Sequence, residues 1–177
     1  MSIFWLAQLI GVIALGFSIY SYQAKTRETL LTRQMHGSFV YIIHYALLSA
    51  WTGVVIDIVV AIRNWVFVKK EKESWAKHRA WLYVFLAVPV IALPFVWEGY
   101  ISLLPTLALL IGVYVRWEGN ASTIRVGTFV GVVMWIPYTL FVESYAGTAS
   151  NLVILGALIY SMMKHDKPAK TEGIHGV

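Results

Sequence analysis

WTGVVIDIVVAIRNWVF, from Trp51 to Phe67, is the stretch that decides the fold of this 177-residue chain. A run of about 17 to 25 mostly apolar residues crosses a bilayer core as a helix, because hydrocarbon offers backbone groups no partners outside their own segment. A carboxylate, Asp57, stands near the middle of the run. A charged side chain at that depth costs at least about 2.5 kcal/mol on insertion scales, so it usually faces a bundle interior. We therefore predict a membrane-spanning helix in which Asp57 is the first candidate for function.

Small and polar residues of this stretch recur at helical spacing and share one face. They are Gly53, Asp57, Ala61 and Asn64. We expect this face to pack closely against another helix or to line a cavity. The residues expected to look outward are Val54, Ile58, Ile62 and Phe67.

The bulk composition indicates an integral membrane protein. Hydrophobic residues make up 59% of the chain and charged residues 13%, and the mean hydropathy is +0.69, whereas soluble domains are nearer half apolar. The absence of cysteine excludes disulfides, thiolate metal sites and cysteine nucleophiles. The sequence contains no phosphate-binding loop, histidine ligand pair or nucleophile elbow. We therefore expect no catalytic residues, no metal and no cofactor.

Seven apolar runs separated by short polar stretches predict an all-α polytopic protein with seven transmembrane helices. The predicted spans are Ile3 to Tyr22, Leu30 to Ser49, Trp51 to Val68, Ala80 to Trp97, Tyr100 to Val115, Ile124 to Val142 and Tyr145 to Met163. A polar tail, residues 164–177, follows and is predicted to be disordered and cytoplasmic.

The cations support this count. All fourteen Lys and Arg residues fall on one side of the membrane when the number of spans is odd, and cytoplasmic loops attract Lys and Arg. The other side carries Glu98 and Glu143. We therefore predict a multi-pass protein of the bacterial inner membrane with its N-terminus outside and its C-terminus in the cytoplasm. We attribute the net charge of +5 to loops that orient the chain in the membrane, and not to a nucleic-acid-binding surface.

An internal repeat links the two ends of the chain. AWTGVVIDIV and SYAGTASNLV align at a constant offset of 94, which pairs Asp57 with Asn151 and also Tyr41 with Trp135. The repeat predicts two parallel triple-helix bundles, at residues 1–68 and 99–163, joined by the charged loop and linker helix of residues 69–98. Substrate sites in such layouts lie near the midplane, where the repeats meet.

This three-plus-one-plus-three layout resembles the SWEET and SemiSWEET sugar transporters and the related PnuC vitamin transporters. More closely, QLIGVIALGFSIYSYQAKTRETLLTRQ and HYALLSAWTGVVIDIVVAIRNWVF resemble the bacterial YgjV family of inner membrane proteins, mainly over residues 8–70. In SWEET proteins, asparagines on the third and seventh helices and an aromatic residue on the helix before each contact the sugar. This resemblance carries over to Asn151 and Trp135, and more loosely to Asp57 and Tyr41.

The prolines expected for gating differ from the SWEET pattern. Those transporters have a hinge proline in each of helices one, two, five and six, whereas spans one and two here contain none. Pro137 interrupts span six beside Trp135 and is our hinge candidate. Arg63, on the cytoplasmic half of span three, would close an inner gate or bind an anionic group. Alternatively, it would extend its guanidinium to the membrane surface.

His44 is a further candidate. It precedes the turn at Ala50 by six residues and Asp57 follows that turn by seven, so the two side chains should lie at similar depth. A histidine and carboxylate pair could bind a cation or carry a proton. Alternatively, each is a satisfied polar residue in a packed helix interface.

The functional hypothesis is a small transporter or facilitator of a small polar metabolite that works by alternating access, either with or without coupling to protons. Tyr41, His44, Asp57, Trp135 and Asn151 are the predicted solute-binding residues. The alternative is a membrane sensor or accessory subunit that binds a partner helix through the polar faces of spans three and seven. The expected partners are the lipid bilayer, an unidentified small solute and, as an open possibility, a second copy of the chain.

Overall fold

A computed structural model describes residues 2–22, 24, 26–70, 72–118 and 121–165. Nearly all of this part of the chain is helical, which confirms the all-α prediction. The predicted disordered tail lies outside the described residues from position 166 onward. The helices are α1 Ile3–Tyr22, α2 Arg27–Leu47, α3 Trp51–Lys69, α4 Ala80–Ala92, α5 Leu103–Glu118, α6 Ala121–Phe141 and α7 Tyr145–His165.

Five of the described helices are long and apolar enough to cross a bilayer: α1, α3, α5 with its leading turn from Tyr100, α6 and α7. The other two miss this standard for different reasons. α2 has 21 residues, but its first two turns carry Arg27, Glu28 and Arg33. α4 has only 13 residues.

The fourth predicted span begins at Ala80 as expected but ends earlier than predicted. α4 stops at Ala92 and continues as a single 3₁₀ turn, Leu93–Phe95, instead of reaching Trp97. Pro94 explains the change, because proline has no amide hydrogen for a helical bond and crowds the preceding turn. Gly99 follows with a φ of 102°, a conformation open to glycine. A 3₁₀ turn, Tyr100–Ser102, then leads into α5.

Six of the helices form a closed ring. α2 packs against both α1 and α3, and α6 packs against both α5 and α7. The two triplets meet at two seams, α3 with α5 and α1 with α7. A twofold rotation that exchanges the triplets also exchanges these seams, as parallel repeats require. α4 lies outside the ring and packs against α3 and α5.

The two turns that end α2 and α6 have the same backbone geometry. Ser49 and Glu143, which are 94 positions apart, both have a left-handed φ, 55° and 54°. The amide of Ala50 donates to Tyr45 O at 2.9 Å, and the amide of Ser144 donates to Thr139 O at 2.8 Å. The two turns therefore share their backbone geometry at the offset of 94 that the sequence repeat predicts.

The predicted outward face of α3 is half wrong. Ile58 and Ile62 are 40% and 49% exposed, as expected for the lipid side, but Val54 and Phe67 are buried. Phe67 packs its ring against Phe85 of α4 and Trp117 of α5, at 5.9 and 5.5 Å between centroids. The prediction failed at Phe67 because α4 and α5 cover that end of α3, and at Val54 because Tyr45 and Tyr138 pack in the same buried cluster. Helix periodicity cannot show such neighbours.

One end of the bundle, called the basic end below, gathers the charged connections. Lys72 after α3 bridges Glu28 at the start of α2 at 2.8 Å. Arg79 before α4 bridges Glu118 at the end of α5 at 2.6 Å, and this hydrogen bond raises the pKa of the Arg79 guanidinium. The opposite end carries the turns at Ser49 and Glu143 and is called the turn end.

Candidate functional site

A cavity of about 210 Å³ lies inside the ring of six helices. Each ring helix contributes to its wall, and α4 does not. The polar and charged lining residues are Ser18, Ser21, Gln34, Ser38, Tyr41, Tyr45, Asp57, Arg63, Arg116, Thr128, Ser150 and Asn151. A polar chamber at the meeting point of two repeats is the arrangement in which membrane transporters hold their solutes.

Four of the five predicted solute-binding residues line this cavity. Asp57 and Asn151 reach it from α3 and α7, and Tyr41 and Trp135 reach it from α2 and α6. Each pair is related by the offset of 94. Asp57 and Asn151 each follow the first residue of their helix by six positions, about 9 Å of helical rise. The acid and the amide therefore lie at equivalent depth in one chamber.

The polar neighbours of Asp57 are Ser38 on α2 and Arg63 on its own helix. Both also line the cavity, and Asp57 itself is only partly buried. A carboxylate in such a position can accept hydrogen bonds from a solute or from water. Within the described residues, no group of three acidic or histidine side chains is placed to hold a metal ion.

Small residues make room for the cavity. Gly37, Gly112, Gly127 and Gly131 all line it. A Cβ on Gly127 would come within 2.7 Å of Val115 Cγ1, so α5 and α6 approach each other where no side chain fits. Close packing through small residues is common between membrane helices. Sequence reasoning did not single out these glycines, although their spacing on α6 is a readable signal.

An aromatic layer closes the cavity toward the turn end. Tyr45 lies at its centre and stacks on Tyr41 at 5.9 Å and on Trp135 at 6.0 Å between ring centroids. Tyr138 lies one turn closer to the turn end, with its ring 6.3 Å from that of Tyr45. Tyr45 and Tyr138 are 3% and 0% exposed. These rings separate the chamber from the turn end.

His44 is the one predicted solute-binding residue that does not line the cavity. Its Nδ1 donates to Ala7 O of α1 at 2.7 Å, because a carbonyl oxygen only accepts. Its Nε2 contacts Ser144 Oγ, in the turn before α7, at 2.6 Å. The ring is fully buried and neither nitrogen reaches Asp57. His44 therefore links the two halves on the turn-end side of the aromatic layer.

Comparison with known proteins agrees with this membrane architecture. A family model named Imp-YgjV, described as a bacterial inner membrane protein, matches residues 5–169. The chain belongs to this family. The match covers both triplets and the linker helix, so the family relationship extends well beyond the stretch that first suggested it. Neither a curated protein nor a solved structure matches the chain.

Two arginines of this Imp-YgjV family member line the cavity on its basic side. Arg63 is only 4% exposed, so it does not extend to the membrane surface. Its Nε and Nη2 donate to Oδ1 of the adjacent Asn64 at 3.3 and 3.0 Å. Arg116 of α5 donates from Nη1 to Gly112 O at 3.1 Å. The predicted fifth span ended at Val115, so the sequence did not indicate that Arg116 belongs to α5.

A second cavity adjoins the first near the basic end. Gln34, Arg116 and Thr128 line both, and Arg125 lines the second alone. Polar lining residues therefore continue from the chamber toward the basic end, in contrast to the apolar closure at the turn end. Pro137, the predicted hinge, lies on the exposed outer surface of α6, which is one continuous helix from Ala121 to Phe141.

Proposed function

We propose that this protein is a small transporter that moves a small polar solute across the inner membrane by alternating access between two triple-helix bundles. The observation that carries the proposal is the shared chamber: Asp57 and Asn151, related by the repeat, line one cavity between the halves. In this proposal Tyr41, Asp57, Trp135 and Asn151 contact the solute. The arrangement is of the SWEET-like class in its pairing of parallel triplets.

The proposed topology has seven spans, an outside N-terminus and a cytoplasmic C-terminus. α2 is included because its 21 residues correspond to about 31 Å of helix and it lies between two long apolar helices. α4 and its 3₁₀ extension form the linker span. The orientation follows from the basic end, since cytoplasmic loops are enriched in Lys and Arg.

With that orientation, the chamber is closed to the outside and extends toward the cytoplasm. Opening the outer side requires the two halves to separate at the turn end. The contacts between halves at this end include His44 with Ser144, Tyr138 with the amide of Gly53 at 2.8 Å, and Gln8, which donates to Glu143 O and accepts from the amide of Ala146. In this proposal Arg63 and Pro137 are the gating residues, at the inner side of the chamber and on the outer face of α6.

Proton coupling is part of the proposal. The repeat places an ionisable acid at position 57 and a neutral amide at the equivalent position 151. A neutral solute needs hydrogen bonds from both but no charge from either. Asp57 is therefore the group proposed to exchange a proton during the cycle.

The sensor or accessory hypothesis has less support. It requires the polar faces of α3 and α7 to meet a partner helix at the lipid surface. Asp57 and Asn151 instead line the internal chamber, and Ala61 and Asn64 are buried. We therefore favour transport.

The direct test is uptake of a panel of labelled metabolites by proteoliposomes that contain the full chain. We expect uptake of at least one solute, its loss in Asp57→Asn, and a dependence on an imposed proton gradient. Glu143→Gln is the matched control, because it removes an exposed acid from the turn end without touching the chamber. Uptake that is equal in the wild type and in Asp57→Asn would contradict the proposed site.

A further inference from the structure

The most unusual charge in the chamber is Arg63. The guanidinium of arginine remains protonated in proteins, and a buried charge is costly unless it is paired. Among the described residues Arg63 forms no ion pair within 4 Å, and Asp57 is its only carboxylate neighbour in the cavity wall. Its hydrogen bonds go to one neutral acceptor, Asn64 Oδ1.

The hydrogen bonds between Arg63 and Asn64 leave one buried polar atom of Asn64 without a partner among the described residues. Its Oδ1 accepts two bonds from the guanidinium, but its buried Nδ2 has no partner among the residues that the structure describes. An unsatisfied buried donor costs about 1 to 3 kcal/mol. The arrangement leaves Nη1 of Arg63 without a hydrogen bond to any described residue, on a side chain that lines the cavity.

Arg116 lies close to the same point. A Cβ placed on Gly112 would lie 2.9 Å from Nη1 of Arg116 and 3.7 Å from Nη1 of Arg63. The two guanidinium groups, one from α5 and one from α3, thus both lie beside Gly112 at the seam between these helices. Two like charges this close repel each other, and an anion between them would offset that repulsion.

We propose that Arg63 and Arg116 form an anion-binding site at the basic side of the chamber, and that the transported solute carries a carboxylate, phosphate or similar oxyanion. Guanidinium forks match the oxygens of such groups and bind them with paired, charge-assisted hydrogen bonds. Asp57, six residues before Arg63 and about 9 Å along α3, would contact the opposite, hydrogen-bond-donating end of the solute. This assignment specifies the class of solute in the proposed function. It rests on that function only for the claim that the bound anion is transported.

The site itself is tested by binding, without transport. The full chain, purified in a neutral detergent, is titrated with inorganic phosphate, with succinate and with glucose, and its thermal unfolding is recorded. We expect phosphate or succinate, but not glucose, to raise the Tm of the wild type in a saturable manner. Arg63→Gln and Arg116→Gln should each weaken the apparent affinity by about tenfold or more.

Two further variants cover the case in which these substitutions prevent folding. Arg63→Lys keeps the charge but loses the fork, and Asn64→Ala keeps both arginines but releases Arg63. Both should bind the anion more weakly than the wild type. Lys77→Gln, which removes one exposed cation from the basic end, is the matched control and should bind like the wild type.

The outcomes separate the alternatives. A Tm of the wild type that responds to neither anion, or a response that all four chamber variants retain, would overturn the anion site. A lipid phosphate could supply the same chemistry, so the titration is repeated in nanodiscs of phosphatidylcholine with and without phosphatidylglycerol. Stabilisation by phosphatidylglycerol alone, with no response to soluble anions, would overturn the assignment to a solute.

Transport and anion binding fail in different ways. Arginine-dependent anion binding without uptake of any anion would leave the site standing and contradict transport. Asp57-dependent uptake of a neutral solute, with anion binding indifferent to Arg63, would leave transport standing and contradict the site.

Discussion

His44 and Tyr138 occupy equivalent positions in the two halves, 94 residues apart, and each crosses to the beginning of the third helix of the other half. His44 contacts Ser144, whose Oγ accepts from the amide of Gly147 at 3.2 Å, and Tyr138 accepts from the amide of Gly53 at 2.8 Å. A helix start exposes amides that lack partners in the helix. At the turn end, Tyr138 therefore satisfies an amide at the start of α3 directly, whereas His44 reaches the start of α7 through the side chain of Ser144.

The hydroxyl of Tyr138 should contribute measurably to stability. It accepts from Gly53 and donates to Glu98 Oε2 at 3.1 Å, in a fully buried position. Tyr138→Phe removes both bonds and leaves a buried amide unsatisfied, so we expect a loss of about 1 to 3 kcal/mol, seen as a lower Tm in detergent. Tyr145→Phe is the control, because Tyr145 is 55% exposed. Equal melting of the two variants would contradict the reciprocal contact.

Gly11 should tolerate no side chain. A Cβ there would lie 2.7 Å from that of Ala146 and 2.8 Å from His44 Cε1, at the seam between α1 and α7. Gly11→Ala should therefore destabilise the protein by about 1 to 3 kcal/mol through overpacking. Gly16 on the same helix has open space around it, so Gly16→Ala should be neutral or slightly stabilising. The comparison fails if Gly11→Ala melts no lower than Gly16→Ala.

The proposed orientation can be tested on a background without cysteine. Ser49 and Ser74 are exposed at the turn end and the basic end, respectively. In intact cells whose outer membrane is permeabilised, a membrane-impermeant maleimide should label Ser49→Cys, whereas Ser74→Cys should react only after the inner membrane is opened. The reversed pattern would invert the topology, and equal labelling of both variants would place both ends on one side.

The equivalence of positions 57 and 151 predicts a partial rescue. If one acid and one amide suffice in the shared chamber, Asn151→Asp should restore part of the uptake that Asp57→Asn abolishes. We expect the double variant to take up solute faster than Asp57→Asn alone, as measured in proteoliposomes. A double variant as inactive as Asp57→Asn would mean that the neighbours of Asp57, Ser38 and Arg63, are indispensable at that position.

Local patterns were enough to find the helices and the repeat. α1 has the predicted limits, Ile3–Tyr22, because a mostly apolar run without a charged residue has the length of one membrane-spanning helix. The pairing of Asp57 with Asn151 could be read from short aligned segments. Contacts between distant segments could not be read in this way. The residues around Phe67 do not indicate that α4 covers it, and the residues around His44 do not indicate its contact with Ser144. The position of Arg116 opposite Arg63 is of the same kind, since only the α3–α5 seam brings them together.

The two matching turns have a further consequence. Where Ser144 receives His44, the equivalent residue in the first half is Ala50, which offers no hydroxyl. Two copies of the first half, assembled about the same axis, would leave each imidazole facing a methyl group. The two halves are therefore unlike partners at this contact, and a second copy of the first half could not replace the second half there.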